Sequence, residues 1–154
     1  MGTRSNIVRE NADGSFDSIY CHWDGYPDNN GRLLYEHYQD PAKIQALLDL
    51  GDLSSLGEEI GERHSFDNAP REECNAYGRD RGETGTECRH YANAEALAAM
   101  LKESWTEWVY VWRVTEGKWY YTNNPSPTWF KCCGSQRQTQ ELTPAAWAPE
   151  VEAV

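Results

Sequence analysis

Hydrophobic positions along the first quarter of the chain alternate, and then they switch period. Thr3 to Glu10 and Phe16 to Trp23 read as two strands joined at Asp13-Gly14, a strong tight-turn signal. On the second strand Phe16, Ser18, Tyr20 and His22 share one face, and Asp17, Ile19, Cys21 and Trp23 share the other. The face with Ile19, Cys21 and Trp23 is expected to meet the core. Asp24 to Gly31 is dense in turn formers and reads as a loop. A short helix is expected over Arg32 to Tyr38. Asp40-Pro41 supplies an N-cap and an N1 proline for a helix ending at Gly51, with Ile44, Leu47 and Leu48 as its apolar stripe. Leu53 to Ile60 is read as a further helical turn.

Residues 62–90 carry almost no aliphatic side chains and read as a long polar loop, a length that often signals function. Asn93 caps a second clear helix with Leu97, Met100 and Leu101 facing inward. Trp108, Tyr110, Trp112 and Val114 then alternate with Val109, Val111 and Arg113. Glu116-Gly117 marks a turn, and Lys118 to Thr122 returns. Both faces of this ribbon are apolar, so it is expected to be central and covered on both sides. Residues 1–131 thus read as a single α+β domain: an antiparallel sheet from an N-terminal and a C-terminal hairpin, with two or three helices packed on one face. Residues 132–154 read as a mobile C-terminal tail.

Composition changes this picture in two ways. Leu, Ile, Val and Phe make up 23 of 154 residues and the net charge is −11, a balance that would normally indicate disorder. Seven Trp and nine Tyr reverse that conclusion, because each buries a large area. The charge also argues against direct nucleic-acid binding and against a membrane surface as partner. No apolar run approaches the ~20 residues that span a bilayer, and the N-terminus lacks a hydrophobic signal core. Five cysteines without framework spacing read as free thiols of a cytoplasmic protein.

Two clusters carry candidate chemistry. The first is Ile19-Tyr20-Cys21-His22-Trp23-Asp24-Gly25-Tyr26-Pro27, a strand end running into a turn. Tyr20, Trp23 and Tyr26 offer flat faces for stacking, and His22 and Asp24 offer hydrogen bonds and proton transfer. Arg4 joins this patch if the hairpin register holds, and leaves it on a one-residue slip. The second cluster is Tyr77-Gly78-Arg79-Asp80-Arg81-Gly82-Glu83, where Arg79, Arg81 and Glu83 suggest an anion site in the long loop. The competing reading of each cluster is structural: core aromatics in the first, solvated ion pairs in the second. Zinc ligation by Cys88, His90 and Cys74, or by Cys132 and Cys133 with His22, lacks the usual Cys-x-x-Cys spacing, so no metal or other cofactor is expected. Nucleophilic motifs are absent, and Cys21 beside His22 is no dyad, because neighbours on a strand face opposite ways. A general base, His22 or His37 with Asp24, keeps a small nucleotide hydrolase open as a reading.

The first motif, together with Thr3-Arg4-Ser5 and Leu53-Ser54-Ser55-Leu56-Gly57, and the second motif resemble a family of small proteins encoded by phages and mobile elements. The resemblance covers roughly residues 3–122. It implies a phage origin and brings no catalytic residues. It therefore points to an antagonist of bacterial defence in the cytoplasm of an infected host. Two designs suit the residues. One is a sponge that sequesters a nucleotide-derived immune signal without catalysis, using aromatic plates and arginines, in the form of a possible homo-oligomer. The other is an acidic, DNA-mimic-like inhibitor that binds a basic surface of a host defence protein. The aromatic–arginine motifs favour the sponge.

Overall fold

In the computed structural model, which describes residues 2–104, 106–123 and 140–148, helices flank both faces of one mixed sheet. The N-terminal hairpin forms as the alternation predicts: β1 (Ser5–Glu10) pairs antiparallel with β2 (Phe16–Cys21), Ile7 opposite Ile19 and Ser5 opposite Cys21. Its connection is longer than two residues. Asn11 N–H donates to Ser15 O, and Gly14 takes the left-handed φ of +88° that the turn needs. The C-terminal hairpin is β6 (Trp108–Arg113) and β7 (Lys118–Thr122), again antiparallel.

The hairpins meet through β1 and β6, which run parallel, Ile7 beside Tyr110. The α+β class holds, but the expected antiparallel sheet is a mixed one. The reason lies in the connection: everything from residue 22 to residue 107 acts as one crossover, long enough to return the chain in the same direction. The strand order is β4 (Asn75–Ala76), β3 (Leu53–Ser55), β2, β1, β6, β7 and β8 (Gln140–Glu141), and β5 (Arg89–Tyr91) also pairs with β2. The central ribbon is covered on both sides, as its two apolar faces require. On one face Ile7, Ile19, Cys21, Tyr110, Trp112 and Trp119 pack under α1 (Arg32–His37) and α2 (Pro41–Leu50). On the other, Val8, Phe16, Val109 and Val111 pack under α4 (Ala94–Glu103) through Leu97 and Leu101. The helices therefore occupy both faces, not one. α2 and α4 start at their expected caps: Asp40 Oδ1 accepts from Ala42 N–H, and Asn93 Oδ1 from Ala96 N–H.

Three expectations fail. Leu53–Ser55 is strand β3, not a helical turn: it pairs parallel with β2 at Cys21, and Leu53 is fully buried. Three residues are too few to show a period, so only the partner strand decides. Residues 62–90 are not a structureless loop. They contain a 3-10 turn (Phe66–Asn68), β4 (Asn75–Ala76), α3 (Tyr77–Arg81) and the start of β5 (Arg89–Tyr91), held by polar contacts that hydrophobic patterning does not register. The expectation of a mobile tail from residue 132 gives way at 140–148. There β8 (Gln140–Glu141) pairs with β7, Leu142 is buried in the main core, and Trp147 packs edge-on against Tyr35.

Candidate functional site

The hairpin register sets Arg4 opposite His22, one step beyond the Ser5–Cys21 pair. Arg4, Tyr20 and His22 consequently share the α4-side face of the sheet. Arg4 Nε–H donates to the Tyr20 hydroxyl at 3.1 Å, and that hydroxyl lies 2.7 Å from His22 Nδ1. The guanidinium can only donate, so the Tyr20 oxygen accepts from it and still holds a hydrogen bond with His22 Nδ1. Burial raises the Tyr20 pKa above its ordinary value, with Arg4 pulling the other way, so Tyr20 works as a hydroxyl donor. The Trp23 ring meets the His22 ring edge to face at 4.7 Å.

Why these side chains face solvent follows from their neighbours. Cys21 is fully buried, and Asn30 Nδ2 reaches its sulfur. The backbone N–H groups of His22 and Trp23 donate to Leu53 O and Ser54 O, which continues the strand. Asp24 then turns the chain with a φ of +56°, and Gly25 packs so closely that a Cβ there would stand 2.7 Å from Thr3 O. Pro27 opens a short π-helical turn that leads into α1. The buried members of the motif, Cys21, Gly25 and Pro27, hold the turn. Trp23 (42% exposed) and Tyr26 (40% exposed) are presented outward. The core role expected for Trp23 is therefore wrong: the strand twists out of the core one step after Cys21. The Tyr26 hydroxyl lies 3.4 Å from Asp24 Oδ1.

Beside this group the α4-side face opens into a cleft of about 210 Å³, lined by Asn6, Ser18, Tyr20, Asp52, Arg89, Tyr91, Met100 and Ser104. It begins where α4 ends. Its organiser, Asp52, carried no signal in the sequence. Asp52 Oδ1 accepts from Tyr20 N–H at 3.0 Å and from Arg89 at 3.1 Å, and Oδ2 accepts from Arg89 at 3.2 Å. Asp52 O also accepts from Tyr77 N–H. It fills the gap where β2 changes partner from β5 to β3, and so ties the two sequence motifs together.

The second motif departs from its expected role. All five N–H groups of Arg79 are committed: Nε and one terminal nitrogen to Asp80, the others to the carbonyls of Ile60, Gly61 and Cys74. Arg79 has no donor left for a ligand, so it clamps the segment instead of binding an anion. Burial works against the Asp80 charge. Hydrogen bonds from Arg79 and from the Ala76 and His64 N–H groups outweigh it and hold the carboxyl below its ordinary range. Arg81 lies over the stacked Phe66 and Tyr77 rings, 4.4 and 5.0 Å from their centres, and pairs with Glu83. Arg81 and Glu83 thus neutralise each other. The signal for this was in the sequence: acids at Asp80 and Glu83 sit beside the two arginines.

Burial pushes the Cys21 thiol up to about 12, which removes it as a nucleophile for the adjacent His22. His37 ends α1 next to Glu36. Among the described residues no cluster of three or more His, Cys, Asp or Glu could hold a metal ion; Cys132 and Cys133 lie outside them. No helix among them is long and apolar enough to cross a membrane. Comparison of the chain with protein-family models, curated proteins and solved structures finds no match.

Proposed function

We propose that this protein captures a nucleotide-type immune signal and holds it without catalysis, as a phage-encoded antagonist of bacterial defence. One observation carries the binding half of this reading. In a chain of net charge −11, Arg4 has no acidic partner among the described residues, and it stands on a continuous Tyr20–His22–Trp23 surface with Trp23 half exposed. A guanidinium linked to an exposed indole through Tyr20 and His22 is suited to a phosphate carried on a heterocyclic nucleotide. The His22 ring, 2.7 Å from the Tyr20 hydroxyl, adds a second polar group. The biological setting rests on the resemblance of the two motifs to phage proteins.

The test is to incubate the protein with cyclic oligonucleotides and ADP-ribose-type nucleotides. Unbound material is removed, the protein is heated, and what it releases is identified by mass spectrometry. An intact released nucleotide is expected from the wild type, and none from Trp23→Ala or Arg4→Gln. Release of a chemically altered nucleotide, lost in His22→Ala, would replace capture with hydrolysis. No release at all would overturn the reading in favour of an acidic inhibitor of a host protein.

A further inference from the structure

The cleft beside Tyr20 is too small for a whole nucleotide, and its lining joins polar groups to the apolar surface of Met100 and two tyrosine rings. Pockets that enclose a small ligand hold roughly 300–1,000 Å³, and this one holds about 210 Å³. It therefore takes one ring, with the rest of the ligand lying outside it.

The hydrogen-bond capacity left over in the cleft says which ring. The Asp52 carboxylate accepts three hydrogen bonds, leaving one of about four lone-pair sites, on Oδ2. Ser18 Oγ accepts from Asn6 Nδ2 at 3.1 Å, and its own hydrogen has no acceptor among the described residues. The Tyr91 hydroxyl, also without a partner among them, is raised in pKa by burial and keeps its proton. Asn6 and Ser104 are already engaged, Asn6 with Ser18 and Thr106, Ser104 with Leu101 O. The cleft thus offers one acceptor and two hydroxyls to whatever enters. A ring with adjacent hydroxyls uses all three, giving a hydrogen to Asp52 and receiving from Ser18 and Tyr91. Met100 supplies an apolar contact for the ring's C–H groups. Arg4 hydrogen-bonds at 3.1 Å to Tyr20, a residue of the cleft lining, and so stands next to the cleft where a phosphate on that ring can meet it.

We infer that the cleft binds the ribose of a ribose phosphate through its free 2′,3′-diol, with the phosphate on Arg4. This rests on the capture reading and narrows it. Nucleotides with a free ribose 5-phosphate end, the ADP-ribose class, are favoured over 3′,5′-linked cyclic dinucleotides, whose diols are blocked.

The experiment is calorimetric titration of the full chain with ADP-ribose, ribose 5-phosphate, 2-deoxyribose 5-phosphate, inorganic phosphate and a 3′,5′-cyclic dinucleotide. Ribose 5-phosphate is expected to displace ADP-ribose, and its deoxy analogue to bind about tenfold more weakly, as one lost hydrogen bond requires. Tyr91→Phe and Ser18→Ala should each weaken ribose 5-phosphate about five- to tenfold and leave inorganic phosphate unchanged. Arg4→Gln should weaken both. Tyr91→Phe removes one oxygen from a partly exposed ring, and an unchanged melting temperature would separate its effect from misfolding. If ADP-ribose binds and Trp23→Ala abolishes it, yet ribose 5-phosphate fails to compete and Tyr91→Phe is neutral, the ribose assignment fails and capture survives. Tighter binding of the cyclic dinucleotide would overturn the assignment in the same way. If no nucleotide binds, both readings fall.

Discussion

Replacing Arg79 with alanine should cost the fold, not the ligand. The side chain makes five hydrogen bonds, two to the Asp80 carboxylate and three to the carbonyls of Ile60, Gly61 and Cys74. Asp80 is fully buried in its side chain, and Arg79 is 18% exposed. Removing one partner of a buried ion pair typically costs 3–5 kcal/mol, because the other charge stays desolvated. Asp80 keeps the Ala76 and His64 N–H groups, at 2.8 and 3.1 Å, which places the loss near the lower end, about 3 kcal/mol. That is a large share of the 5–15 kcal/mol that holds a domain together. Lysine would recover little, since one ammonium cannot span three carbonyls and a carboxylate. The assay is urea unfolding followed by tryptophan fluorescence. A loss under about 1 kcal/mol, with ligand retention abolished in the folded variant, would refute the clamp and return Arg79 to the binding site. The same pair sets an acid limit. The Asp80 pKa is lower folded than unfolded, so its contribution is present above the unfolded value, near 3.8, and is lost as pH falls through the folded one. Asp80→Asn should flatten stability against pH in that acid range.

Three further outcomes follow from the same packing. Gly25→Ala places a Cβ 2.7 Å from both Thr3 O and Ser5 Cβ, so it should destabilise by about 1–3 kcal/mol and displace the Trp23 turn, read as a lower melting temperature with weaker ligand retention. Leu142→Ala should cost about 2–5 kcal/mol, since Leu142 is only 1% exposed in the main core; a neutral result would contradict docking of residues 140–148. Cys21, fully buried and pushed up to about 12, should resist alkylation in the native protein and react only on unfolding, as peptide mapping by mass spectrometry would show.

Local pattern was enough for much of the fold. Alternation predicts both hairpins, and the Asp40 and Asn93 caps predict two helices, because these signals act within a few residues of one another. The turn after Cys21 and the antiparallel register that carries Arg4 to His22 were legible for the same reason, whereas the exposure of Trp23 was not, because it depends on the strand leaving the core after Cys21. What sequence could not supply was the division of labour between the two motifs. Arg79 and Arg4 are the same residue type, and both sit in motifs that carry aromatics. One is consumed by carbonyls from residues 60, 61 and 74, and the other is left without an acid among the described residues.

The sequence by itself determined the two hairpins, the Asp40 and Asn93 caps with their helices, and the turn that follows Cys21, since hydrophobic period and backbone preference are local. Only the tertiary structure decided that β1 and β6 run side by side in parallel and that residues 140–148 return to the sheet. It also decided that Asp52 joins Tyr20 to Arg89 across 32 and 37 positions. Those outcomes depend on which distant groups satisfy a buried carbonyl, carboxylate or strand edge, and a hydrogen bond leaves no periodicity in the chain that makes it.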